Sequence, residues 1–468
     1  MLNMLNAPIV FYLGSRAFSA AGNLLAVAIF TRLVGPAEYG QYLFMYAWST
    51  IVFGFATQWI GFAYFGVYKT QRINEYVDSL VRLTAIALVM LVAGFAAMML
   101  LGFWQPEFLI AVCVLVICLS IYFNALQVSR TKLNSRAGAI SMIMRAGLTM
   151  ALGSLVLWWG GGPTGLAFAV SFANLIAAIP SLMSADRIDL LHGSRAASLE
   201  ILKYGWPLIL STGLLSLGLT IDRLILGQFL GTAALGIYGV LYDFVRQSFY
   251  VVGESISFSM ITTAKQYAHE GNVEASTHEL RTAFNASYAT AALGAAFFIV
   301  FGDQVIRVLL GSQFHEDVGR LLPIFSIAFG IWLMGQFYFG QAIFFSEASF
   351  LEPILQTTLV LVSAAISIWL IPIYGTQGAA FAILAGVSVY CVGYIVIGRR
   401  YFRMPIDFAG VSIISMFAVL FVSAAWMLGR VAPSAAISQV IEAAVFVGLS
   451  ALVVHRFDLL RHTSTGTT

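Results

Sequence analysis

Apolar runs of about twenty residues recur along the whole chain, separated by short stretches that carry Gly, Pro and most of the charge. A run of that length crosses a hydrocarbon core about 30 Å thick as an α-helix. With the Gly, Pro and charge clusters taken as punctuation, the pattern predicts fourteen spans. They cover residues 9–31, 41–66, 83–103, 108–129, 138–159, 164–184, 205–230, 236–261, 283–302, 321–345, 353–372, 377–398, 408–428 and 435–455. The longest connections, near 185–204, 262–282 and 303–320, are short, so no soluble domain is inserted. Short alternating segments of the outer-membrane barrel type do not appear.

Composition strengthens this picture. Of 468 residues, 60% are hydrophobic and 10% charged, with a mean hydropathy of +0.90, whereas soluble domains are about 25% charged. The expected class is an all-α polytopic membrane protein. A net charge of +3 reports topology in such a protein and implies no nucleic-acid partner. Cys113, Cys118 and Cys391 sit in apolar runs, with neither disulfide nor zinc spacing. The opening "MLNMLNAPIVFYLGSRAF" lacks a basic n-region and reads as the start of the first helix.

With the amino terminus placed inside, sixteen of the 24 Lys and Arg residues fall in cytoplasmic loops and the tail, and four fall outside. That is the positive-inside asymmetry, with both termini cytoplasmic. One loop disagrees. "FFSEASFLEP" is expected to be cytoplasmic, yet it holds two Glu and no basic residue.

The chain also repeats itself. "GPAEYGQYLFMY" (35–46) shares five of twelve residues with "GTAALGIYGVLY" (231–242), and "GPTGLAFAV" (162–170) shares five of nine with "GTQGAAFAI" (375–383). The offsets, 196 and 213, pair spans one to six with spans seven to twelve. An even number of spans per copy gives both halves the same orientation, about an axis along the membrane normal. The expected domains are a six-helix lobe over 1–200, a second over 201–402, and two further helices with a tail over 403–468. Two parallel lobes are the architecture of an alternating-access carrier whose site lies between them.

"FTRLVGPAEYGQY", "DRLILGQFLGTAALGIYGVLYDF" and "VIRVLLGSQFHEDVGRLLPIFSIAF" resemble polysaccharide transporters of the Wzx type. These are oligosaccharide flippases of the multidrug/oligosaccharidyl-lipid/polysaccharide exporter superfamily, related to the MATE exporters and the lipid II flippase. The resemblance implies a MATE-like bacterial inner-membrane protein with no enzymatic activity and no cofactor. Its implied work is to move an undecaprenyl-diphosphate-linked oligosaccharide to the periplasmic leaflet for polysaccharide or lipopolysaccharide biosynthesis. Membrane lipid and a polysaccharide polymerase or chain-length regulator are the partners it suggests.

Charges inside spans are costly and call for an account. Arg16, Arg145 and Arg223 lie roughly 10 Å from a span end, by 1.5 Å per residue, close enough to snorkel. Arg246 is near the midplane. At 100° per residue it lies 60° from Asp243, and Glu254 lies 20° from Asp243 on the other side, so the three share one face. A diphosphate gives these arginines a purpose, because the guanidinium fork matches phosphate oxygens. Arg16, Arg145, Arg223 and Arg246 are therefore the candidate substrate contacts. Asp222, Asp243 and Glu254 either balance them or couple transport to H⁺ or Na⁺. The alternative for Asp243–Arg246 is a buried pair that only fixes packing.

Other signals are weaker. "WWGGGPTG" (158–165) lacks the Lys-Ser/Thr of a phosphate loop and reads, like "IYGTQG", as a tight turn. "HEGNV" and "HELRT" lack the second His of a zinc motif, and no metal or catalytic residue is assigned. Tyr39, Tyr42 and Tyr46 read as interfacial anchors, with sugar stacking as the alternative. A cation-coupled drug exporter would favour carboxylates without arginines. A membrane enzyme of polysaccharide assembly would need larger outer loops than "HEDVGR" offers.

Overall fold

A computed structural model describes residues 7–185, 194–218, 220–346, 350–431 and 435–457. They are helical almost throughout, with no strand among them. Every predicted span has a helical counterpart: α1 Ala7–Leu33, α2 Pro36–Val67, α3 Thr70–Leu100, α4 Pro106–Thr131, α5 Ser135–Trp158, α6 Gly162–Leu182, α7 Arg195–Gly218, α8 Ile221–His269, α9 Val273–Leu309, α10 Val318–Ile343, α11 Leu351–Tyr374, α12 Thr376–Val396, α13 Phe408–Val431 and α14 Ala435–Arg456. Twelve stretches among the described residues are long and apolar enough to span a bilayer, and the protein is a multi-pass membrane protein. The starts follow local chemistry. Pro36 and Pro106 open α2 and α4 at the position where a missing N–H costs nothing, and Asn134 Oδ1 caps α5 by accepting from Ala137 N at 3.1 Å.

The boundary between predicted spans seven and eight falls inside a continuous helical stretch, yet the chain turns there as expected. Gly231, at φ 81°, lies inside α8, and the Tyr238 hydroxyl reaches Asp222 Oδ2 at 2.8 Å. Sixteen residues of straight helix would separate those two by about 24 Å, so the chain reverses at Gly231. Residues 221–230 form one arm of the reversal, and residues 232 onward form span eight. Three turns of π-helix were not legible in the pattern: Gly54–Gln58 in α2, Ser257–Ile261 in α8 and Met334–Tyr338 in α10. The "WWGGGPTG" and "IYGTQG" stretches are tight turns, and the aligned glycines Gly162 and Gly375 take φ 61° and 60°. Only glycine adopts that backbone without strain.

The chain forms two compact units, one drawn from Met1–Val240 with Leu309–Phe314 and the other from Leu241–Val308 with His315–Thr468. In the first unit, the end of α2 packs with α3, α4 and α7 through Trp59, Ile60, Tyr64, Tyr76, Leu80, Val128 and Ile201. In the second, α13 and α14 pack on α9 through Ala289, Leu293, Ile414 and Val453. Large apolar residues such as Val89, Met90, Leu361 and Trp369 stay exposed, as expected where the surroundings are lipid.

Within the first unit the two copies of the repeated motif meet. A Cβ on Gly40 would lie 1.8 Å from Thr232 O, and one on Gly236 would lie 2.0 Å from Pro36 O. Residues 36 and 40 are separated from 232 and 236 by the repeat offset of 196, so the contact is reciprocal. Backbones approach this closely only where side chains are absent, which explains why both copies carry glycine there.

Candidate functional site

The first unit holds a cavity of about 360 Å³ lined by α1, α2, α4 and α5. Arg145 of α5 faces it, among Ser19, Asn23, Tyr46, Thr50 and Tyr122. Its guanidinium lies over the Tyr122 ring at 5.0 Å, where the ring's negative face supports the charge. The side chain is half-buried, its open part turned into the cavity. No carboxylate lines that cavity, and among the described residues none pairs with Arg145.

Arg223 and Asp222 behave differently. Both are buried, at 6% and 0% exposure. They sit in the hairpin at Gly231, where the Tyr238 hydroxyl donates to Asp222. Burial between two antiparallel arms replaces the route to water. Arg16 lies in α1, and its side chain is outside the described residues.

In the second unit, Arg246 Nη2 lies 3.8 Å from Asp243 Oδ1, with side chains 29% and 32% exposed. The separation is a loose ion pair, longer than a hydrogen bond. The Tyr242 ring is 6.0 Å from the guanidinium. Glu254 accepts from the Tyr250 hydroxyl at 3.0 Å and lines a separate cavity of about 460 Å³ with Ser257, Thr262, Lys265 and Gln341. The π-turn Ser257–Ile261 forms one wall of it, in keeping with the tendency of such turns to shape functional sites. Asp243 and Arg246 thus form an ion pair, and Glu254 lines a distinct polar pocket.

Residues 29–319 match the model of a family described as "Polysaccharide biosynthesis protein". The chain belongs to that family. Among solved structures it is similar to the lipid II flippase MurJ in an inward closed conformation, at 12% identity and a TM-score of 0.73, covering 97% of this chain and 100% of that one. It is also similar to a multidrug resistance MATE family transporter of the MOP superfamily. The inward-facing form gives 17% identity, a TM-score of 0.64 and coverage of 81% and 94%; the outward-facing form gives 17%, 0.54, 84% and 93%. These likenesses establish the fold. A comparison with curated protein sequences returns no match.

Sequence reasoning placed Arg145 but missed the residues around this family member's cavity. Ser19, Asn23 and Thr50 read as ordinary small polar positions, and Tyr46 and Tyr122 as membrane aromatics. Only packing brings five residues from three other helices to one arginine. Outside the spans, Lys69 Nζ donates to both Glu200 oxygens at 3.1 and 3.0 Å. The Tyr76 hydroxyl also donates to Glu200, and these two donors hold its carboxyl below the usual range. The contact ties the α2–α3 connection to α7.

Proposed function

We propose that the protein is a flippase that moves an undecaprenyl-diphosphate-linked oligosaccharide from the cytoplasmic to the periplasmic leaflet by alternating access. The observation that carries this reading is Arg145, an intramembrane guanidinium facing a cavity with no lining carboxylate. Even a half-buried cation inside a membrane is costly without a countercharge, and an anionic ligand offsets that cost. Bidentate contact from the guanidinium fork suits phosphate oxygens. A volume of about 360 Å³ is at the lower end of small-ligand sites, about 300–1,000 Å³. It suits the charged linkage, while the lipid tail stays in the bilayer. Arg246 serves as a second contact, its field reduced by Asp243. Arg16 and Arg223 complete the candidate set on sequence grounds. Family membership and the MurJ-like fold support a polysaccharide precursor over a cationic drug, because a cation exporter would present carboxylates where this cavity presents arginine.

The protein works in the inner membrane alongside a polysaccharide polymerase or chain-length regulator, and it performs no covalent chemistry. The test is Arg145→Ala in cells whose chromosomal copy is deleted. Lipid-linked oligosaccharide is expected to accumulate in the cytoplasmic leaflet at normal levels of inserted protein. Unchanged export in that strain rejects the role of Arg145, and normal polymer in the deletion strain itself rejects the flippase reading.

A further inference from the structure

The cavity of about 460 Å³ in the second unit is chemically unlike the one that Arg145 faces. Its walls are α8 and α10, and each wall carries a π-turn, Ser257–Ile261 in one and Met334–Tyr338 in the other. The α10 wall is fixed by its own packing. Phe337 meets the rings of Tyr250 and Trp332, each at 5.5 Å. Gly253 makes room for it, since a Cβ there would lie 2.5 Å from the Phe337 ring. Gln341 is held as well, its Nε2 donating to Gln336 O at 2.9 Å, which leaves the amide oxygen as an acceptor. This side of the pocket is therefore built before a ligand arrives, and pre-organisation of that kind lowers the cost of binding.

The α8 wall supplies hydroxyls with nothing to bind. Elsewhere in α8, Ser248, Ser255 and Thr263 each donate to the carbonyl four residues back. Ser257 and Thr262, which open and follow the π-turn, have no partner among the described residues. Each keeps a donor and an acceptor, and both line the pocket. Phe258 lies beside them, 45% exposed. Glu254 and Lys265 carry opposite charges, so the lining is neutral overall and does not select an anion. Hydroxyls, an amide oxygen and a carboxylate able to accept from two hydroxyls suit a ligand rich in hydroxyl groups. An aromatic ring, whose negative face attracts polarised C–H groups, suits the apolar face of the same ligand. A sugar ring has both. Beyond the pocket α8 runs on through Gln266 and His269, polar and exposed, so the site lies toward the end of its span, where a hydrophilic glycan stays clear of hydrocarbon.

We propose that this pocket is a saccharide subsite that takes one uncharged sugar ring of the lipid-linked oligosaccharide, with sugar hydroxyls on Ser257, Thr262, Gln341 and Glu254 and a ring face on Phe258. It rests on the flippase reading for the source of the sugar, but not for the chemistry of the site. The probe is the free oligosaccharide released by mild acid from the lipid-linked pool of the deletion strain, so that lipid and diphosphate are absent. It is titrated against purified full-length protein in lipid nanodiscs and followed by saturation-transfer NMR. Affinity is expected to fall about tenfold in the Ser257→Ala/Thr262→Ala double variant, which removes two hydrogen bonds, to fall in Phe258→Ala, and to be unchanged in Asp407→Asn. Phe258→Trp keeps an aromatic face and is expected to keep binding, which separates loss of the contact from loss of the fold. Inorganic pyrophosphate is expected not to compete. Binding left intact by both Phe258→Ala and the double variant overturns the subsite, as does competition by pyrophosphate, which would move the oligosaccharide to the arginine cavity. A deletion strain without a lipid-linked pool rejects the flippase reading instead. Free glucose, galactose and N-acetylglucosamine then serve as probes: saturation transfer that the same variants abolish upholds a sugar pocket, and no transfer to any of the three overturns it.

Discussion

The two units surround their charged residues differently. The first turns an arginine into a cavity without a carboxylate and supports it with the Tyr122 ring. The second couples its arginine loosely to Asp243 and, elsewhere, holds Glu352 among tyrosines and glutamines without a cation. The glycines of the repeated motif meet inside the first unit, Gly40 with Gly236, while the polar groups of the two units differ.

The largest expected effect comes from Arg145. Removing a charge-assisted bidentate contact costs about 1.5–3 kcal/mol, which corresponds to a loss of about 10–100-fold. Arg145→Ala is expected to reduce oligosaccharide export by about that factor. Arg145→Lys is expected to recover part of it, because a point charge lacks the fork. Full recovery by lysine would reduce the site to simple charge balance and weaken the contrast between units.

Arg246→Ala is expected to cost less, about tenfold on the same scale, because Asp243 already takes part of its field. The Arg246→Ala/Asp243→Ala double variant is expected to export no better than the single one at equal protein level. Restored export would assign Arg246 to packing alone and make the contrast between the units sharper still.

Asp407 probes structure without touching either charge site. It accepts from Asn285 Nδ2 at 2.9 Å and from Gly410 N at 3.0 Å, capping α13. Asp407→Ala is expected to lower the stability of the purified protein by about 1 kcal/mol, measured as thermal unfolding in detergent. Stabilisation by added lipid-linked substrate should be unchanged, whereas Arg145→Ala should abolish it. The hydrogen bond from Asn285, then that from Gly410, holds the Asp407 carboxyl below its usual range. A depressed carboxylate stabilises the fold above its unfolded value and loses that contribution as pH falls through the folded one. The wild-type advantage over Asp407→Ala should therefore persist at neutral pH and fade on acidification below the ordinary aspartate range.

The smallest effect belongs to the exposed contact between Lys69 and Glu200. Surface ion pairs contribute little and are screened by salt, so Lys69→Ala is expected to leave the unfolding midpoint within experimental scatter. A marked loss of export without loss of stability would instead make this contact part of the transport cycle.

How far the sequence went is visible residue by residue. Helix number and approximate position were written in the apolar runs, because a bilayer demands a fixed length of apolar helix and gives hydropathy few alternatives. The tight turns at Gly162 and Gly375 were legible because only glycine suits their φ. Even the anomaly of "FFSEASFLEP" was visible, although its cause was not. The π-turns and the burial of Arg223 depended on tertiary packing, since each is a local departure that neighbouring helices sustain. The depth of a charge along its own helix was set by sequence. Whether Arg145 found a cavity, Arg246 a carboxylate or Glu352 a pair of tyrosines was decided by the other helices, whose side chains approach only in the folded chain.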